Sequence, residues 1–290
     1  MALGPIFRKN IRKFIRPIWL GKEPIKDKII LLYAEQGLGD IIQFCRYVPL
    51  VARLGAIVLF EVPARLFNLL RKIEGIRTII KQGEAIPKYD FHCPLGSLPY
   101  IFKTEETNIP HPNKYLYAQD NITIQIKKQI EIINKDKRTI IGISWKTKAQ
   151  ATGRKRSIPL KTLIKAFNLS DVHFINLQYG HTNMEIQEAR KKLGASILQF
   201  KSIDNQNNID GLASLIEACD LIVTIDNTTA HLAGSLGKDT RVLLPYSADW
   251  RWLLNRTDSP WYDSIKLYRQ EKIDDWESAL KKLKFDLDVE

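Results

Sequence analysis

The sequence predicts an α/β protein built from two similar halves, and three observations support this. Apolar strand-like runs alternate with helix-like segments between residues 29 and 93, and the alternation restarts at residue 139. Alternation of this kind is typical of βαβ units and parallel sheets. Each half also contains an apolar run that ends in an acidic residue at a helix start. The polar cluster 134–138 between the two halves has the composition of a linker.

The first half is assigned to residues 17–135, after a basic segment at 1–16. Its first strand, Ile29–Tyr33, is an unbroken apolar run, which indicates a strand covered on both faces of a parallel sheet. The other strands predicted here are 56–62, 78–80 and 89–93, and the helices are 41–54, a segment from Pro63 to Gly75, and a face formed by Ile122, Ile126, Ile130 and Ile133.

The second half, 136–290, repeats the pattern. Its predicted strands are 139–145, 172–177, 221–225 and 240–244, and its predicted helices are 160–167, 184–193, 209–218 and 228–236. A last helix at 275–283 has no obvious strand neighbour, and we expect it to pack back across both halves. No apolar stretch reaches the roughly 20 residues that are needed to span a bilayer.

The chain is strongly basic, with 44 Lys and Arg residues, 32 Asp and Glu residues and a formal net charge of +12. Half of this excess lies before residue 29, where the sequence has eight Lys and Arg residues and only two acidic residues, Glu23 and Asp27. No helix-turn-helix, zinc-finger or RNP-type motif accompanies the charge, so nucleic acid is not an expected partner. Anionic lipid or a phosphorylated small molecule explains the charge equally well.

The three cysteines, Cys45, Cys93 and Cys219, are far apart and lie in apolar surroundings. An odd number of cysteines without zinc-type spacing argues against both a disulfide framework and a metal site. We expect three buried free thiols in a reducing compartment, and therefore a cytoplasmic protein.

The basic segment 1–16 places five cationic residues among Phe7, Ile11, Phe14 and Ile15. Two interpretations stay open. An amphipathic helix lying on an anionic membrane would hold the protein at the inner membrane face. The alternative, which we favour slightly, is a helix that packs its apolar face on the rest of the protein.

The stretch from Glu35 to Asp40, Glu-Gln-Gly-Leu-Gly-Asp, joins the first strand to a helix. Gly37 and Gly39 allow a sharp turn and a close approach of the backbone to a ligand. Asp40 stands at the predicted N-cap of the helix. Because open α/β sheets bind ligands at the carboxyl ends of their strands, we expect Gln36, the two glycines and Asp40 to border a ligand site.

A second turn of this kind follows the apolar run that ends in Asp226. The segment Asn227, Thr228, Thr229 then opens a helix, where free backbone N–H groups and the helix dipole favour a phosphate. Asp226 is placed to accept hydrogen bonds from sugar hydroxyls. In the alternative interpretation the polar residues only cap the helix, and His231 one turn later is a core histidine that does not reach a ligand.

The segment 146–156, from Lys146 to Arg156, is a basic loop directly after a predicted strand. Its position at a strand end favours a clamp for phosphate groups. A solvated surface loop is the alternative.

Several blocks together resemble the glycosyltransferase 9 superfamily, which contains the bacterial ADP-heptose:lipopolysaccharide heptosyltransferases, and most of all the glycosyltransferase-like domain that follows tetratricopeptide repeats in bacterial proteins. The resemblance covers roughly residues 17–285. The matching blocks are Glu35–Tyr47, His92–Leu95, Arg156–Pro159, Asp226–Lys238, Asp249–Leu254 and Asp258–Tyr262.

The resemblance implies a GT-B fold, in which two Rossmann-like domains face each other across a cleft and the second domain holds most of the sugar nucleotide. It implies inverting transfer without a metal ion or other cofactor. By similarity, Asp40 is the general base, and Arg156 stands where the family places a basic residue on the donor diphosphate. Lys146, in the same basic loop, is expected to add positive charge there. The segment Asp226 to His231 is expected to bind the donor sugar and diphosphate.

Trp145, Gln178 and Tyr179 lie near predicted strand ends of the second half, where they are expected to contact the nucleobase, although core packing is the favoured alternative for Trp145. The sequence departs from the family pattern in two places. Fewer than 20 residues precede Pro17, so the usual repeats are not expected, and Asn227-Thr-Thr229 leaves heptose undecided as the donor sugar.

The sequence thus favours a glycosyltransferase that uses a nucleotide-sugar donor and a glycan, lipid-linked or protein acceptor. A transferase-like module that binds a nucleotide sugar or a protein without catalysis is the alternative.

Overall fold

The computed structural model describes residues 13–110, 113–149 and 152–289. It confirms an α/β protein with two sheets of parallel strands, one of four strands and one of six. Most of the basic segment 1–16 lies outside the described residues, and its described end at 13–16 is not helical. There, Phe14 stacks on His92 with ring centroids 3.8 Å apart. Nowhere in the described ranges is a helix long and apolar enough to cross a membrane.

The first sheet has the strand order β3-β2-β1-β4. Its strands are β1 Ile29–Tyr33, β2 Ile57–Val62, β3 Ile76–Lys81 and β4 Phe91–Pro94, and its helices are α1 Leu38–Phe44, α2 Val48–Arg53, α3 Phe67–Leu70 and α4 Leu98–Ile101. The outer edge of β4 is paired further, because Ile18 forms a parallel bridge with His92.

The helix predicted at 41–54 is divided in two. Residues Cys45–Tyr47 form a 3₁₀ turn between α1 and α2. Pro49 lies at the start of α2, and since proline has no backbone N–H it cannot continue the hydrogen-bond pattern of α1. The helix predicted from Pro63 to Gly75 is likewise shorter, with a 3₁₀ turn Ala64–Leu66 followed by α3.

The second sheet has the strand order β7-β6-β5-β8-β9-β10. Its strands are β5 Thr139–Ser144, β6 Val172–Asn176, β7 Ile197–Leu198, β8 Leu221–Ile225, β9 Thr240–Leu244 and β10 Ile265–Arg269. Numbered within this half, the order is 3-2-1-4-5-6, the doubly wound arrangement of dinucleotide-binding domains. In that arrangement ligands bind between the first and fourth strands, here β5 and β8. The two outermost strands, β7 and β10, are not predicted by the sequence patterns.

Seven helices accompany the second sheet in the described ranges. They are α5 Asp120–Ile133, α6 Gly153–Arg156, α7 Leu160–Ile164, α8 Asn183–Leu193, α9 Ile209–Ala218, α10 Thr228–Ser235 and α11 Trp276–Val289. The expectation that the last helix packs across both halves is wrong. Helix α11 contacts β9 and β10, and Trp276, Ala279 and Leu283 join the core of the second half. The sequence patterns miss this position because they also miss β10, its neighbour.

The division of the chain at residues 135 and 136 stays a prediction. Helix α5 precedes this point but packs on α9 of the second half. The segment before α5 is tied to the same half, because the N–H groups of Tyr115 and Leu116 both donate to the carbonyl oxygen of Ser235, at 3.0 and 3.1 Å.

The two halves meet where α1 of the first half contacts α10 of the second. Gly39 on α1 lies directly against His231 on α10. A Cβ atom at position 39 would lie 2.7 Å from His231 Cδ2, which is closer than carbon atoms approach without displacement. The glycine is therefore needed for the contact between the halves.

His231 is 2% exposed and stacks on Trp252, with ring centroids 5.5 Å apart. Burial, together with the positive charges of Arg251, Arg46 and Arg156, lowers the pKa of His231 well below 6.5. The imidazole is therefore neutral at pH 7. Arg251 Nη1 lies 3.2 Å from Nε2, and because arginine only donates, Nε2 accepts. Nδ1 then carries the proton and donates to the Tyr262 hydroxyl at 2.9 Å.

Arg46 is a second link between the halves and is 5% exposed. Its Nη1 donates to the carbonyl oxygens of Trp261 and Pro110, at 2.7 and 3.1 Å, and its Nη2 donates to the Tyr115 hydroxyl at 2.9 Å. The guanidinium also lies over the rings of Tyr115 and Tyr262, 4.6 and 4.8 Å from their centroids. One planar side chain thus satisfies acceptors from three segments of the chain.

We predict that Arg46→Lys destabilises the protein although it keeps the charge. An ammonium group cannot reproduce the planar fork, so buried acceptors lose their donors, at about 1–3 kcal/mol of unfolding free energy. Urea denaturation measures the loss. Arg53→Lys is the matched control, since the Arg53 side chain is 65% exposed. Equal stability of both variants would contradict the role of Arg46.

His231 predicts a pH dependence of stability. Its pKa is lower in the folded protein than the unfolded value of about 6.5, so below pH 6.5 the unfolded chain binds the extra proton. Stability is therefore full above pH 6.5 and falls as the pH drops, by up to about 1.4 kcal/mol per pH unit. Urea denaturation between pH 7.5 and 5.5 should show this slope in the wild type and a smaller one in His231→Gln. The slope should persist in His181→Gln, where the histidine is exposed; an unchanged slope in His231→Gln would refute the assignment.

Candidate functional site

The candidate site lies where the carboxyl ends of both sheets approach each other across the α1–α10 contact. In the first sheet, the order β3-β2-β1-β4 places the crevice between β1 and β4. Glu35, just after β1, bridges it: its carboxylate accepts hydrogen bonds from Leu95 N at 3.2 Å and Gly96 N at 3.0 Å, both after β4. This fixes the start of the glycine-rich turn relative to the neighbouring strand.

The glycine-rich turn leads into α1 three residues earlier than predicted, at Leu38 instead of Ile41. Gly37 is the N-cap and Asp40 is the third helical residue, so the expectation that Asp40 is the N-cap is wrong. Asp40 still serves the helix start, because its Oδ2 accepts a hydrogen bond from Gly37 N at 3.1 Å. Gln36 is exposed, with Nε2 3.5 Å from Glu35 Oε1.

Asp40 forms an ion pair with an arginine of the other half. Arg251 Nη2 donates to Asp40 Oδ1 at 2.8 Å, and Arg251 Nε donates to Asp249 Oδ1 at 2.9 Å. Burial by itself would lower the pKa of Arg251, but the carboxylates of Asp40 and Asp249 outweigh it and raise that pKa above its ordinary value. With its contact to His231, Arg251 connects the turn of the first half to α10 of the second.

Sequence reasoning missed Arg251. The block from Asp249 to Leu254 contributes to the family resemblance, but no periodicity or motif assigns its arginine a partner 211 residues away. The signal that could have found it is an arginine between two tryptophans in a block without strand or helix periodicity.

Asp226 lies at the end of β8, 2% exposed, and its Oδ2 accepts a hydrogen bond from Arg156 Nη1 at 3.1 Å. The predicted donor-binding residues Arg156 and Asp226 are thus together. They lie beside the crevice between β5 and β8, since α6, which ends in Arg156, is part of the segment that follows β5.

Asn227 caps α10, as in the alternative interpretation of this turn. Its Oδ1 accepts from Thr229 N at 2.9 Å and from Ala230 N at 3.4 Å, and its Nδ2 donates to Ser144 Oγ at 2.9 Å. Two of the first backbone amides of α10 are therefore occupied. The amide of Thr228, which is half-buried, precedes them at the first helical position.

The other predicted residues lie on the far side of β5. Lys146 forms an ion pair with Glu185, which also accepts the indole N–H of Trp145. Trp145 is 1% exposed, so core packing, the favoured alternative, describes its position. Lys146 is 30% exposed at its side chain and is paired with Glu185, whereas Arg156 is paired with Asp226.

Gln178 is buried, and its Oε1 accepts hydrogen bonds from Ser144 Oγ and from the backbone N–H groups of Trp145 and Lys146. It holds the end of β5 in place, and this role was not foreseen. Tyr179 is half-buried, and its hydroxyl accepts from Lys148 N at 2.7 Å. Of the three predicted nucleobase contacts, only Tyr179 presents an accessible ring.

No group of three or more His, Cys, Asp or Glu side chains in the described ranges is arranged to hold a metal ion. All three cysteines are buried and unpaired, and burial raises the pKa of each thiol to about 12. The three thiols are therefore protonated at pH 7.

Comparison with known proteins gives one similar curated sequence and several similar structures. No protein-family model matches the chain. Protein FlbA of Caulobacter vibrioides is 29% identical over 282 residues, which is 90% of this chain and 46% of FlbA. The chain thus spans about half the length of this relative.

Among solved structures, a family 9 glycosyltransferase from Veillonella parvula superimposes with a TM-score of 0.65 at 10% identity, over 91% of both chains. ADP-heptose LPS heptosyltransferase II of E. coli gives 0.58 at 15% identity, over 90% of this chain and 98% of that one. E. coli heptosyltransferase WaaC, solved with ADP-2-deoxy-2-fluoro heptose, gives 0.56 at 8% identity, over 90% and 99%. The two parallel sheets and these superpositions together show that the protein has the GT-B-type fold of the family 9 glycosyltransferases and heptosyltransferases.

Proposed function

We propose that the protein is a glycosyltransferase that moves a sugar from a nucleotide-sugar donor to a hydroxyl acceptor. The observation that carries the proposal is the position of Asp40. It stands at the end of the first sheet and is held by Arg251 against α10 of the second half. The buried pair Arg156–Asp226 lies just before the same helix. An acid of one half thus faces a polar, cationic crevice of the other.

In this scheme Asp40 is the general base. The acceptor oxygen attacks the anomeric carbon from the face opposite the diphosphate, and its proton passes to Asp40 and then to water. The carbon–oxygen bond to the diphosphate breaks, and its electron pair leaves with the nucleoside diphosphate, so the anomeric configuration inverts. A carboxylate accepts about four hydrogen bonds, and two are taken by Arg251 and Gly37 N. The remaining positions are open to the acceptor hydroxyl.

The departing diphosphate needs positive charge, which the second half supplies without a metal ion in this scheme. Arg156 has five N–H donors and uses Nη1 for Asp226. The amide of Thr228 and the dipole of α10 add to its charge at the helix start. Asp226 then accepts hydrogen bonds from the sugar hydroxyls. His231 is neutral and buried, and it positions Arg251. Lys146, Asn227 and Thr229 contribute indirectly, through the ion pair with Glu185 and the cap of α10.

ADP-linked sugars are the first donors to test. E. coli WaaC was solved with an ADP-heptose analogue, and TibC with ADP-D-β-D-heptose. Thermal shift is a direct assay, because a ligand at 100 times its Kd stabilises a protein by about 2.7 kcal/mol. A cytoplasmic location is part of the proposal.

We predict that Asp40→Asn lowers transfer by at least about 100-fold, since a general base contributes typically 10²–10⁴-fold, while donor affinity is unchanged. The amide keeps the shape and still accepts from Arg251. The control is Asp120→Asn, an exposed acid in the first turn of α5, which should retain full turnover. The assay measures the rate at which each variant and the wild type release nucleoside diphosphate.

Near-normal turnover in Asp40→Asn would remove Asp40 from its role. If the wild type binds a nucleotide sugar but neither transfers nor hydrolyses it, the protein is a binding module instead.

We predict that Arg156→Ala weakens binding of the nucleoside diphosphate by about 10- to 100-fold, because a charge-assisted hydrogen bond contributes roughly 1.5–3 kcal/mol. Binding of the bare nucleoside should hardly change. Calorimetry with both ligands measures the difference. Arg154→Ala, an exposed arginine of the same short helix, is the control. Equal losses for both ligands would mean that Arg156 supports only the fold.

A further inference from the structure

A small groove with two tryptophans on its wall lies between the halves, beside the candidate base. It has a volume of about 220 Å³. The first half contributes Pro99, Glu105 and Ile109, and the second half contributes Trp250, Leu253 and Trp261. No step proposed so far uses this groove.

Trp250 is unusual because it is a tryptophan with 60% of its surface exposed. Its ring stands nearly perpendicular to that of Trp261, at 83°, with centroids 6.0 Å apart. Trp261 is buried, and two contacts fix its position. Its carbonyl oxygen accepts a hydrogen bond from Arg46, and its ring contacts Phe44 edge-on. The two rings therefore form a rigid corner with one open aromatic face.

This corner is close to Asp40. The guanidinium carbon of Arg251 lies 5.5 Å from the centre of the Trp250 ring, and the same guanidinium donates to Asp40. One side chain thus separates the aromatic face from the carboxylate. Arg251 thus connects the aromatic face to the proposed base.

The segment that carries Trp250 is held in an uncommon conformation. Asp249 caps the turn by accepting from Arg251 N and Nε. Leu253 has φ of +49°, which non-glycine residues rarely adopt, and Arg269 Nη2 donates to its carbonyl oxygen at 2.7 Å. Strained backbone of this kind persists only where its surroundings enforce it, and it clusters at binding sites.

We propose that this groove is the acceptor subsite, and that its occupant is an uncharged sugar ring stacked on Trp250 with a hydroxyl directed at Asp40. The proposal rests on the proposed function. A pyranose has an apolar C–H face that fits an aromatic face, and hydroxyls at its edge that need acceptors. The carboxylates of Glu105 and Glu106 at the rim can accept from such hydroxyls.

Size and charge favour this occupant over others. The groove is smaller than the roughly 300–1,000 Å³ of pockets for drug-sized ligands, which suits one ring better than a length of peptide. The side chains of Glu105 and Glu106 offer acceptors for hydroxyl groups but, as carboxylates, no donors for a phosphate group. Arg256 forms an ion pair with Glu106.

The test measures binding of methyl glycosides of hexoses, 6-deoxyhexoses and N-acetylhexosamines to the intact protein by saturation-transfer NMR. At least one should bind saturably, and Trp250→Ala should weaken it by about ten-fold or more, as expected for a lost aromatic contact. Trp250→Phe should restore most of the affinity. Phe285→Ala removes an equally exposed aromatic ring on α11 and should change nothing.

Donor binding to Trp250→Ala, measured by thermal shift, separates this proposal from the proposed function. Unchanged donor affinity with lost glycoside affinity supports an acceptor subsite. Glycosides that bind the wild type and Trp250→Ala equally, or no binding by any of the panel, overturn it, as does preference for a serine- or threonine-containing peptide over every glycoside. A wild type that binds glycosides through Trp250 but no nucleotide sugar keeps the sugar site and refutes the transferase.

Discussion

The ion pair between Asp40 and Arg251 organises the candidate functional site of this protein. Asp40 belongs to the turn after β1, and Arg251 to the segment after β9, so the pair joins the carboxyl ends of the two sheets. Arg251 in turn contacts His231, whose neutral imidazole donates to Tyr262. If the arginine were missing, a carboxylate and an imidazole would remain at the contact with no charge partner between them. The cleft therefore depends on an arginine with three simultaneous partners.

Much of the fold follows from local sequence. Strands such as Ile29–Tyr33 and Leu221–Ile225 are apolar throughout, because both faces of a parallel sheet are covered, and that property is visible in the sequence. The outer strand β7 has two residues, and β10 contains a lysine and an arginine among its five residues, so neither carries such a signal. The misplaced helix α11 follows from the missed β10, since a helix cannot be positioned without the strand that it covers.

The parts of the candidate site whose polar residues lie within a single turn of the chain were predictable. Asp40 and the glycines lie at the start of a helix that follows a strand, and Asp226 ends a strand, so their positions follow from the arrangement of parallel sheets. Arg251, Trp250 and Trp261 were not predictable, because their roles arise only when a segment of the second half meets α1. Gln178 shows the opposite error. Gln178 lies at a strand end, as a ligand contact would. Its amide oxygen, however, accepts the hydrogen bonds that hold the end of β5 in place.

The contact of Gly39 with His231 also fixes a distance. Reactions of bound groups need the reacting atoms about 3–3.5 Å apart, and an error of about 1 Å can cost 100-fold in rate. In the proposed reaction the base lies on one half and the leaving group on the other, so that separation depends on how closely α1 approaches α10. At position 39 a single additional carbon atom would occupy space already filled by the imidazole ring. The distance between the proposed base and the donor therefore depends on Gly39, whose single hydrogen atom lets α1 and α10 approach this closely.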